Sequence, residues 1–383
     1  MFTFSLLPYC PIALLPYCPN IYLMPPPNPS IPPAPRGRGA SGNPRNRFER
    51  SSWTPDPEEA GNPPQLATRY IEDASVSIIS SNNSPDIGFD KSINPYRGCE
   101  HGCAYCYARP THEYLGYSSG LDFESRIIVK PRAAALLEDA LSSPRWRPEV
   151  LAMSGVTDPY QPVEARLEIT RGCLEVLARY RNPVLIITKN FLVTRDIDLL
   201  AKMARKNLVR VAISVTSLDP GLTRRMEPRT SAPGRRIEAI RALASAGVSV
   251  GVFAAPLIPG INDEDMPAVI AAASEAGASF ASYTILRLPH SVEEIFLQWL
   301  SREFPGRREK VLARLRSLRG GKLNRSEFGE RMRGDGPWGE QIRGLFGIAC
   351  RRAGLEKRPG QLSTEHFRRP GGCQLTFLDS LTD

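Results

Sequence analysis

The sequence predicts an α/β protein built on a partial barrel of parallel strands. After residue 73, short apolar runs rich in β-branched residues alternate with amphipathic stretches of helical length. Such runs are typical of strands buried on both faces. Strand–helix repeats favour either a barrel or a doubly wound sheet. About six repeats are present, too few for a full eight-stranded barrel, so a partial (β/α)6, TIM-like barrel is favoured.

The individual elements follow from periodicity. The predicted strands are the apolar runs 150–156, 184–188, 209–215, 248–254 and 279–286, opened by an earlier strand near 76–79 or 92–94. The predicted helices, with apolar residues at three- and four-residue spacing, are 164–180, 197–206, 235–246 and 263–276. Pro233 precedes one of these helices and Gly247 follows it, as expected for a helix start and stop.

The N-terminal region has the composition of an arm. Of the 36 prolines, 16 precede residue 65, and residues 25–67 hold few apolar side chains. This predicts a disordered arm over 1–67. Residues 1–23 lack any Lys or Arg and contain four prolines, unlike a secretory signal. We interpret them as a mis-called start, with translation beginning at Met24 or later. The arm's arginines fit contact with an acidic partner or, preferably, a solvated linker; they are Arg36, Arg38, Arg45, Arg47 and Arg50.

The C-terminal region is basic. Residues 301–370 hold 18 Lys and Arg against 8 Asp and Glu, and they account for the net charge of +9. We therefore divide the chain into a core over 85–300 and a basic extension over 301–383. Helices are predicted at 292–300 and 308–319, followed by a loop over 320–339. This region fits a surface for nucleic acid, a solvated helical face or a helical lid over the barrel, and we slightly favour nucleic acid.

Composition restricts the compartment. The chain is 42% hydrophobic and 23% charged, and no apolar run is long enough for a membrane span, which excludes an integral membrane protein. The eight cysteines do not form the spread pairs of a small disulfide-linked domain. We therefore expect a cytoplasmic protein with a cysteine-ligated metal site.

Three cysteines lie close together in NPYRGCEHGCAYCYARP, residues 94–110: Cys99, Cys103 and Cys106. Structural zinc is normally held by four ligands in two pairs, so the fourth ligand here would be His101 or a distant cysteine. Three thiolates fit better on a [4Fe–4S] cluster that leaves one iron without a protein ligand. Zinc remains the competing interpretation.

The motif C-x3-C-x-aromatic-C, with Tyr105 as the aromatic residue, closely resembles the radical S-adenosylmethionine (SAM) superfamily. The resemblance implies a partial barrel and a [4Fe–4S] cluster whose open iron binds SAM. Reductive cleavage of SAM would then give a 5′-deoxyadenosyl radical. It also implies SAM contacts at the predicted strand ends. Lys189 would face the carboxylate, Thr157 and Ser214 would offer hydroxyls, and Tyr105 and residues 257–260 would lie near the adenine.

Further segments resemble the spore photoproduct lyase and DNA repair photolyase-like branch, among them SGVTDPYQPVE, ITKN and SVTS. Gly155 stands where true spore photoproduct lyases have a hydrogen-donating cysteine, so reversal of thymine dimers by that route is not expected. Cys173 falls within a predicted helix and fits a buried apolar role. Four residues after the same strand fit substrate contacts or an ordinary turn equally well: Asp158, Tyr160, Gln161 and Glu164.

The first hypothesis is therefore a radical SAM enzyme, a lyase or an oxidoreductase, that acts on DNA or RNA. The second retains the radical chemistry but gives it a protein or small-molecule substrate. The third is a non-enzymatic, zinc-stabilised nucleic-acid-binding protein. For the enzyme we expect a monomer that receives electrons from a donor such as flavodoxin or ferredoxin.

Overall fold

The computed structural model describes residues 33–49, 66–357 and 359–370. The strands are β1 Arg69–Glu72, β2 Ile79–Ser81, β3 Lys91–Ile93, β4 Tyr96–Arg97, β5 Arg126–Val129, β6 Leu151–Met153, β7 Val184–Thr188, β8 Val209–Ser214, β9 Ser249–Leu257 and β10 Phe280–Ile285. The α-helices are α1 Leu121–Ser125, α2 Ala133–Ser142, α3 Glu164–Leu167, α4 Ile169–Tyr180, α5 Ile197–Ala204, α6 Pro220–Met226, α7 Pro233–Ser245, α8 Met266–Glu275, α9 Val292–Glu303, α10 Arg308–Ser317 and α11 Gly336–Ala353. Short 3₁₀ helices cover Arg109–Leu115, Phe191–Asp196, Asp263–Asp265 and Pro305–Arg307.

The main sheet has seven strands in the order β2-β3-β6-β7-β8-β9-β10. The six from β3 to β10 run parallel, and β2 joins the edge antiparallel. Because β2 and β10 remain the two edges, the barrel is not closed by strand pairing. The prediction of a partial (β/α)6 barrel is confirmed, and β3 is the opening strand near 92–94.

The strands form because their side chains are buried on both faces. Leu151 and Met153 of β6 and Val211 and Ile213 of β8 are fully buried. Outside the sheet, α4 contributes Leu174 and other apolar residues at helical spacing to the same core. Burial of β-branched and aliphatic side chains against these helices drives the assembly.

Three predicted boundaries are wrong. Strand β6 ends at Met153 because the chain leaves the sheet there and the Val156 N–H donates to the Asn94 side chain at 3.3 Å. The predicted helix 164–180 is broken at Glu168, which has a left-handed φ of 52°. The predicted loop 320–339 ends early, because α11 begins at Gly336.

Part of the predicted disordered arm is packed on the core. We call residues 33–49 the strap. Arg38 and Asn46 are buried, and the Asn46 amide donates to the carbonyls of Glu113 and Tyr117 at 2.9 and 3.1 Å. These two anchors outweigh the low apolar content on which the prediction of disorder rested. Residues 1–32, including the proposed mis-called start, and Arg50 lie outside the described residues.

Residues 321–335 contact the main sheet near both of its edges. Next to β10, the Ile285 N–H donates to the Met332 carbonyl at 2.9 Å. In the loop between the edge strand β2 and β3, Asp86 accepts from the Gly329 N–H at 2.7 Å and pairs with Arg331. This segment therefore bridges the two edges of the sheet. Within the described part of the chain, no helix combines the length and apolarity needed to cross a bilayer.

Candidate active site

The cysteine loop lies between β4 and the 3₁₀ helix Arg109–Leu115. Cys99 and Cys103 are buried, Cys106 is partly buried, and all three are free thiols. Burial raises the pKa of Cys103 well above its usual value, and burial with the nearby Cys99 raises the pKa of Cys106 to about 11. A bound cationic centre would compensate the charge of thiolates at these three positions.

The spacing of these thiols bears on which centre fits. Among the described residues, no three Cys, His, Asp or Glu side chains converge closely enough to share one metal ion. A cubane does not require such convergence, because each cysteine binds a different iron. Three free thiols in one loop, two buried and one partly buried, therefore fit an iron–sulfur cluster.

We call the side of the cysteine loop that contacts Arg109 and Glu124 its outer side. A buried ion pair between these two residues holds this side. The Arg109 guanidinium is fully buried and donates to the carbonyl of Cys103 at 2.8 Å and to that of Ser119 at 3.0 Å. It also pairs with the fully buried Glu124 at 2.5 Å. Because the guanidinium binds the backbone of a cysteine directly, this pair fixes the position of the loop.

The strap rests on the same ion pair. The Glu124 carboxylate accepts hydrogen bonds from the N–H groups of Gly39 and Ala40 at 3.0 and 2.9 Å. A Cβ atom at Gly39 would lie 1.9 Å from the Gly102 carbonyl oxygen. The backbones of the strap and of the cysteine loop therefore touch, and only glycine fits at this contact.

Three predicted site residues meet beneath the cysteine loop. The Thr157 hydroxyl donates to the Gly98 carbonyl at 2.6 Å. Gln161 accepts from the Glu100 N–H at 3.0 Å and donates to Thr157 at 3.1 Å. Asp158 accepts from the Thr188 hydroxyl at 2.7 Å. These contacts tie the ends of β6 and β7 to the cysteine loop.

Asp158 also contacts the loop itself. Its carboxylate lies 3.4 Å from the His101 imidazole and accepts from the Lys189 N–H at 2.8 Å. Burial acts to raise the pKa of Asp158, but the His101 cation and the hydrogen bonds from His101, Thr188 and Lys189 together outweigh it and lower that pKa. The carboxylate is therefore held ionised by partners within the protein.

Tyr160 and Glu164 are fully buried. The Tyr160 hydroxyl donates to Asp196 at 3.0 Å, and the Glu164 carboxylate pairs with Arg195 at 2.7 Å. Glu164 also accepts from the Tyr96 hydroxyl at 2.5 Å. Neither side chain faces open space, so the structure places both within the scaffold.

We call the side of the cysteine loop that lies towards Lys189 and Glu227 its inner side. A cation lies on this side. The Lys189 ammonium lies 3.1 Å from the Glu227 carboxylate, 3.2 Å from the Ala255 carbonyl and 5.8 Å from the centroid of the Tyr105 ring. Its side chain is 16% exposed, whereas that of Glu227 is fully buried. Lys189 is therefore the member of this group that solvent, or a ligand, can reach.

Glu227 organises this side of the loop. It accepts hydrogen bonds from the Tyr105 hydroxyl and, at 3.1 Å, from Thr216, and it pairs with the buried Arg236. Burial acts to raise the pKa of Glu227, but Arg236 and Lys189 outweigh it and lower that pKa to about 2. Glu227 is not among the predicted site residues, because it follows a helix and not a strand.

Tyr107 and Arg287 complete the inner side. Tyr107 is 51% exposed although it directly follows Cys106, and the Arg287 guanidinium lies 5.7 Å from its ring centroid. Arg287 is partly buried, and its Nε atom has no hydrogen-bond partner within the described residues. Both side chains were missed by the sequence analysis, although Tyr107 stands beside the cysteine motif.

The remaining residues considered in the sequence lie at or after the ends of strands or, for Cys173, within a helix. Ser214 ends β8, and its carbonyl accepts from Arg236 at 3.0 Å. Strand β9 continues to Leu257, and the Ile258 N–H donates to Asn262 at 2.6 Å. A Cβ atom at Gly155, which has a φ of +118°, would meet no atom within 4 Å among the described residues. Cys173 is buried in α4, as expected.

Sequence comparison places these features in context. The family described as Radical SAM superfamily matches residues 93–273. An uncharacterized protein of Mycobacterium tuberculosis is 37% identical over 238 residues, which are 62% of this chain and 69% of that protein. An uncharacterized protein of Methanocaldococcus jannaschii is 29% identical over 213 residues, 56% of this chain and 76% of that protein.

Solved structures show the same fold. Spore photoproduct lyase complexed with dinucleoside spore photoproduct matches with a TM-score of 0.53 and 15% identity, over 74% of this chain and 79% of that one. A variant of that lyase with bound AdoMet and dinucleoside spore photoproduct matches with a TM-score of 0.52 and 15% identity, over 74% and 78% of the two chains. At this identity, the likeness concerns the fold.

Proposed function

Because the chain belongs to the radical SAM superfamily and is a radical SAM enzyme, we propose that it holds a [4Fe–4S] cluster at Cys99, Cys103 and Cys106 and acts on a nucleic acid. The observation that supports the cluster assignment is the set of three free thiols in one loop, two buried and one partly buried, beside the reachable cation of Lys189. When bound, the cluster and SAM supply an electron and a 5′-deoxyadenosyl radical for hydrogen abstraction. All remaining tasks belong to the protein.

The first task is to orient SAM. We assign the Lys189 ammonium to the SAM carboxylate, since a charge-assisted hydrogen bond is both strong and directional. Glu227 accepts from Lys189 and from Tyr105, so it sets the position of both. Ser214 stays a proposed contact. The Thr157 hydroxyl already donates to Gly98, so towards a ligand it could act only as an acceptor.

The second task is to hold the scaffold. We propose that Asp158, Tyr160, Gln161 and Glu164 are positioning residues, because each is buried and bonded to other parts of the protein. Their loss would shift the cysteine loop or the ends of β6 and β7. A substrate contact would require a reachable polar atom, and Lys189, Tyr107 and Arg287 are better placed to provide one.

Two features support a nucleic-acid substrate. The fold is that of an enzyme solved with a dinucleoside photoproduct, and Arg287 and Tyr107 lie side by side near the cysteine loop. A guanidinium suits a phosphate and an aromatic ring suits a stacked base. Thymine-dimer reversal is not part of this proposal, because Gly155 stands where that route requires the thiol of a cysteine.

The proposal is tested by anaerobic incubation of the reduced protein with SAM, with and without DNA or RNA. We expect 5′-deoxyadenosine to form, and to form faster with the polynucleotide that contains the substrate base. A gel shift that weakens as salt increases would accompany binding. If the protein cleaves SAM but no nucleic acid binds to it or accelerates the cleavage, the substrate would instead be a protein or a small molecule. Zinc in place of iron would refute the enzyme proposal.

A further inference from the structure

A basic groove of about 500 Å³ lies on the outer side of the cysteine loop. The strap forms one wall, and the end of α6 with the following residues and the end of α9 form the rest. The charged residues that line it are Arg36, Arg38, Arg224, Arg225, Arg302 and Glu303. Among the described residues, the lining thus contains five arginines and a single carboxylate. We call this groove the donor groove.

Two of the five arginines are exposed and available to a partner. Arg302 pairs with Glu303 at 2.9 Å, and Arg38 donates to the Leu66 carbonyl inside the protein at 2.8 Å. Arg36 and Arg224 are exposed. A cluster of exposed arginines creates a positive potential that attracts and orients an acidic surface.

The floor of the donor groove touches the cysteine loop. A Cβ atom at Gly102 would lie 3.2 Å from the ring of Pro228 and 3.3 Å from the nitrogen of Gly39. Pro228 lines the groove, and Gly39 directly follows its wall. Because Gly102 precedes Cys103, one layer of residues separates the groove from a cysteine that we assign to the cluster.

The donor groove does not reach the inner side of the site. Lys189, Tyr107 and Arg287 are absent from its described lining. A base bound in the groove would therefore not meet the residues that we assign to SAM and substrate. Electron transfer has no such requirement, because it needs a short path through the protein and no open channel.

We propose that the donor groove docks an acidic one-electron carrier protein, such as a flavodoxin, which reduces the cluster through the Gly102–Cys103 backbone. This inference rests on the proposed function. The carrier loses one electron and the cluster gains one, and no bond is made or broken. Rim charges of this kind govern the association rate and its salt dependence.

The test uses the full-length protein and the double variant Arg36→Glu/Arg224→Glu. The matched control is Arg241→Glu, an exposed arginine on α7 outside the groove. Two quantities are measured with reduced flavodoxin: the Kd, by calorimetry, and the rate of SAM cleavage. Cleavage driven by dithionite, which needs no docking surface, and iron content are measured in parallel.

For the double variant we expect flavodoxin binding and flavodoxin-driven cleavage to fall by about tenfold or more, because like charges then face each other. Iron content and dithionite-driven cleavage stay at the wild-type level, and the control changes neither reaction. Flavodoxin binding equal to that of the wild type overturns the docking proposal. Loss of polynucleotide binding without loss of flavodoxin binding also overturns it and gives the groove to nucleic acid. Failure of wild-type protein to cleave SAM with dithionite would instead refute the proposed function.

Discussion

The two sides of the cysteine loop are built differently. On the outer side, Arg109 and Glu124 are fully buried, and both bind backbone groups of neighbouring segments. On the inner side, Lys189 is partly exposed and Tyr107 is half exposed. Buried, mutually bonded charges specify one arrangement of the chain, whereas exposed polar groups are free to meet a ligand. The outer side therefore holds the loop, and the inner side is where we propose that SAM and the substrate bind.

The largest effect should come from Arg109→Met. This change leaves the Glu124 carboxylate buried without its cation, which costs about 3–5 kcal/mol. Denaturant unfolding should show this loss of stability, and the purified protein should retain less iron.

The control for this change is Arg126→Met. Arg126 pairs with Asp122 at 3.2 Å, and its side chain is 44% exposed, so its loss should cost about 1 kcal/mol or less. Equal effects of the two substitutions would show that the buried pair has no special part in holding the loop.

Gly39→Ala should have the next largest effect. The added methyl group would clash with the Gly102 carbonyl, and such overpacking typically costs about 1–3 kcal/mol. We expect lower iron content and, in metal-free protein, faster alkylation of the three loop cysteines.

Gly42→Ala is the matched control in the same strap, since its Cβ would meet no described atom within 4 Å. Alkylation rates that are the same in both variants would mean that the strap does not cover the loop.

Lys189→Ala should affect the inner side alone. Loss of one charge-assisted contact, worth about 1.5–3 kcal/mol, should weaken SAM binding by roughly tenfold to a hundredfold. Iron content should not change. Calorimetry with SAM measures the effect, and Lys202→Ala, an exposed lysine on α5, serves as the control. Unchanged affinity would remove Lys189 from the site.

The smallest effect concerns the segment 321–335. Burial acts to raise the pKa of Asp86, but the Gly329 N–H and Arg331 outweigh it and lower that pKa. The stabilisation from this contact is therefore complete above the ordinary carboxyl pKa and is lost as the pH falls through the lowered value. The protection factors of the amides in residues 321–335, which correct for the slower intrinsic exchange at low pH, should fall at acid pH in the wild type. In Asp86→Asn they should be low at neutral pH as well, and high protection factors in that variant would contradict this account.

Local patterns were sufficient to find the parallel strands of the main sheet, although not the end of β6. Strand β7 coincides with its predicted run because four of the five residues in 184–188 are β-branched and Pro183 and Lys189 flank them. The strap was not predicted, because two buried side chains anchor it and its composition conceals them. The site divides in the same way. The cysteine motif is local in sequence, whereas Glu227 acts through partners from three other segments.

The polar residues after β6 teach a related lesson. Asp158 and Glu164 follow the end of a parallel strand, and this position predicted a substrate contact or a turn role with equal weight. In the fold, their carboxylates bind His101 and Arg195. A sequence shows which residues follow the carboxyl ends of the parallel strands. The partners that satisfy the hydrogen bonds and charges of these residues come from distant segments.

The central claim is that Cys99, Cys103 and Cys106 hold a cubane with one iron open to SAM. Iron and sulfide analysis of anaerobically purified protein, combined with Mössbauer spectroscopy before and after addition of SAM, tests it most directly. We predict about four irons and four sulfides per chain, with one iron site whose signal changes when SAM binds. A single tetrahedral metal ion, or a cluster whose spectrum SAM leaves unaltered, would contradict the claim.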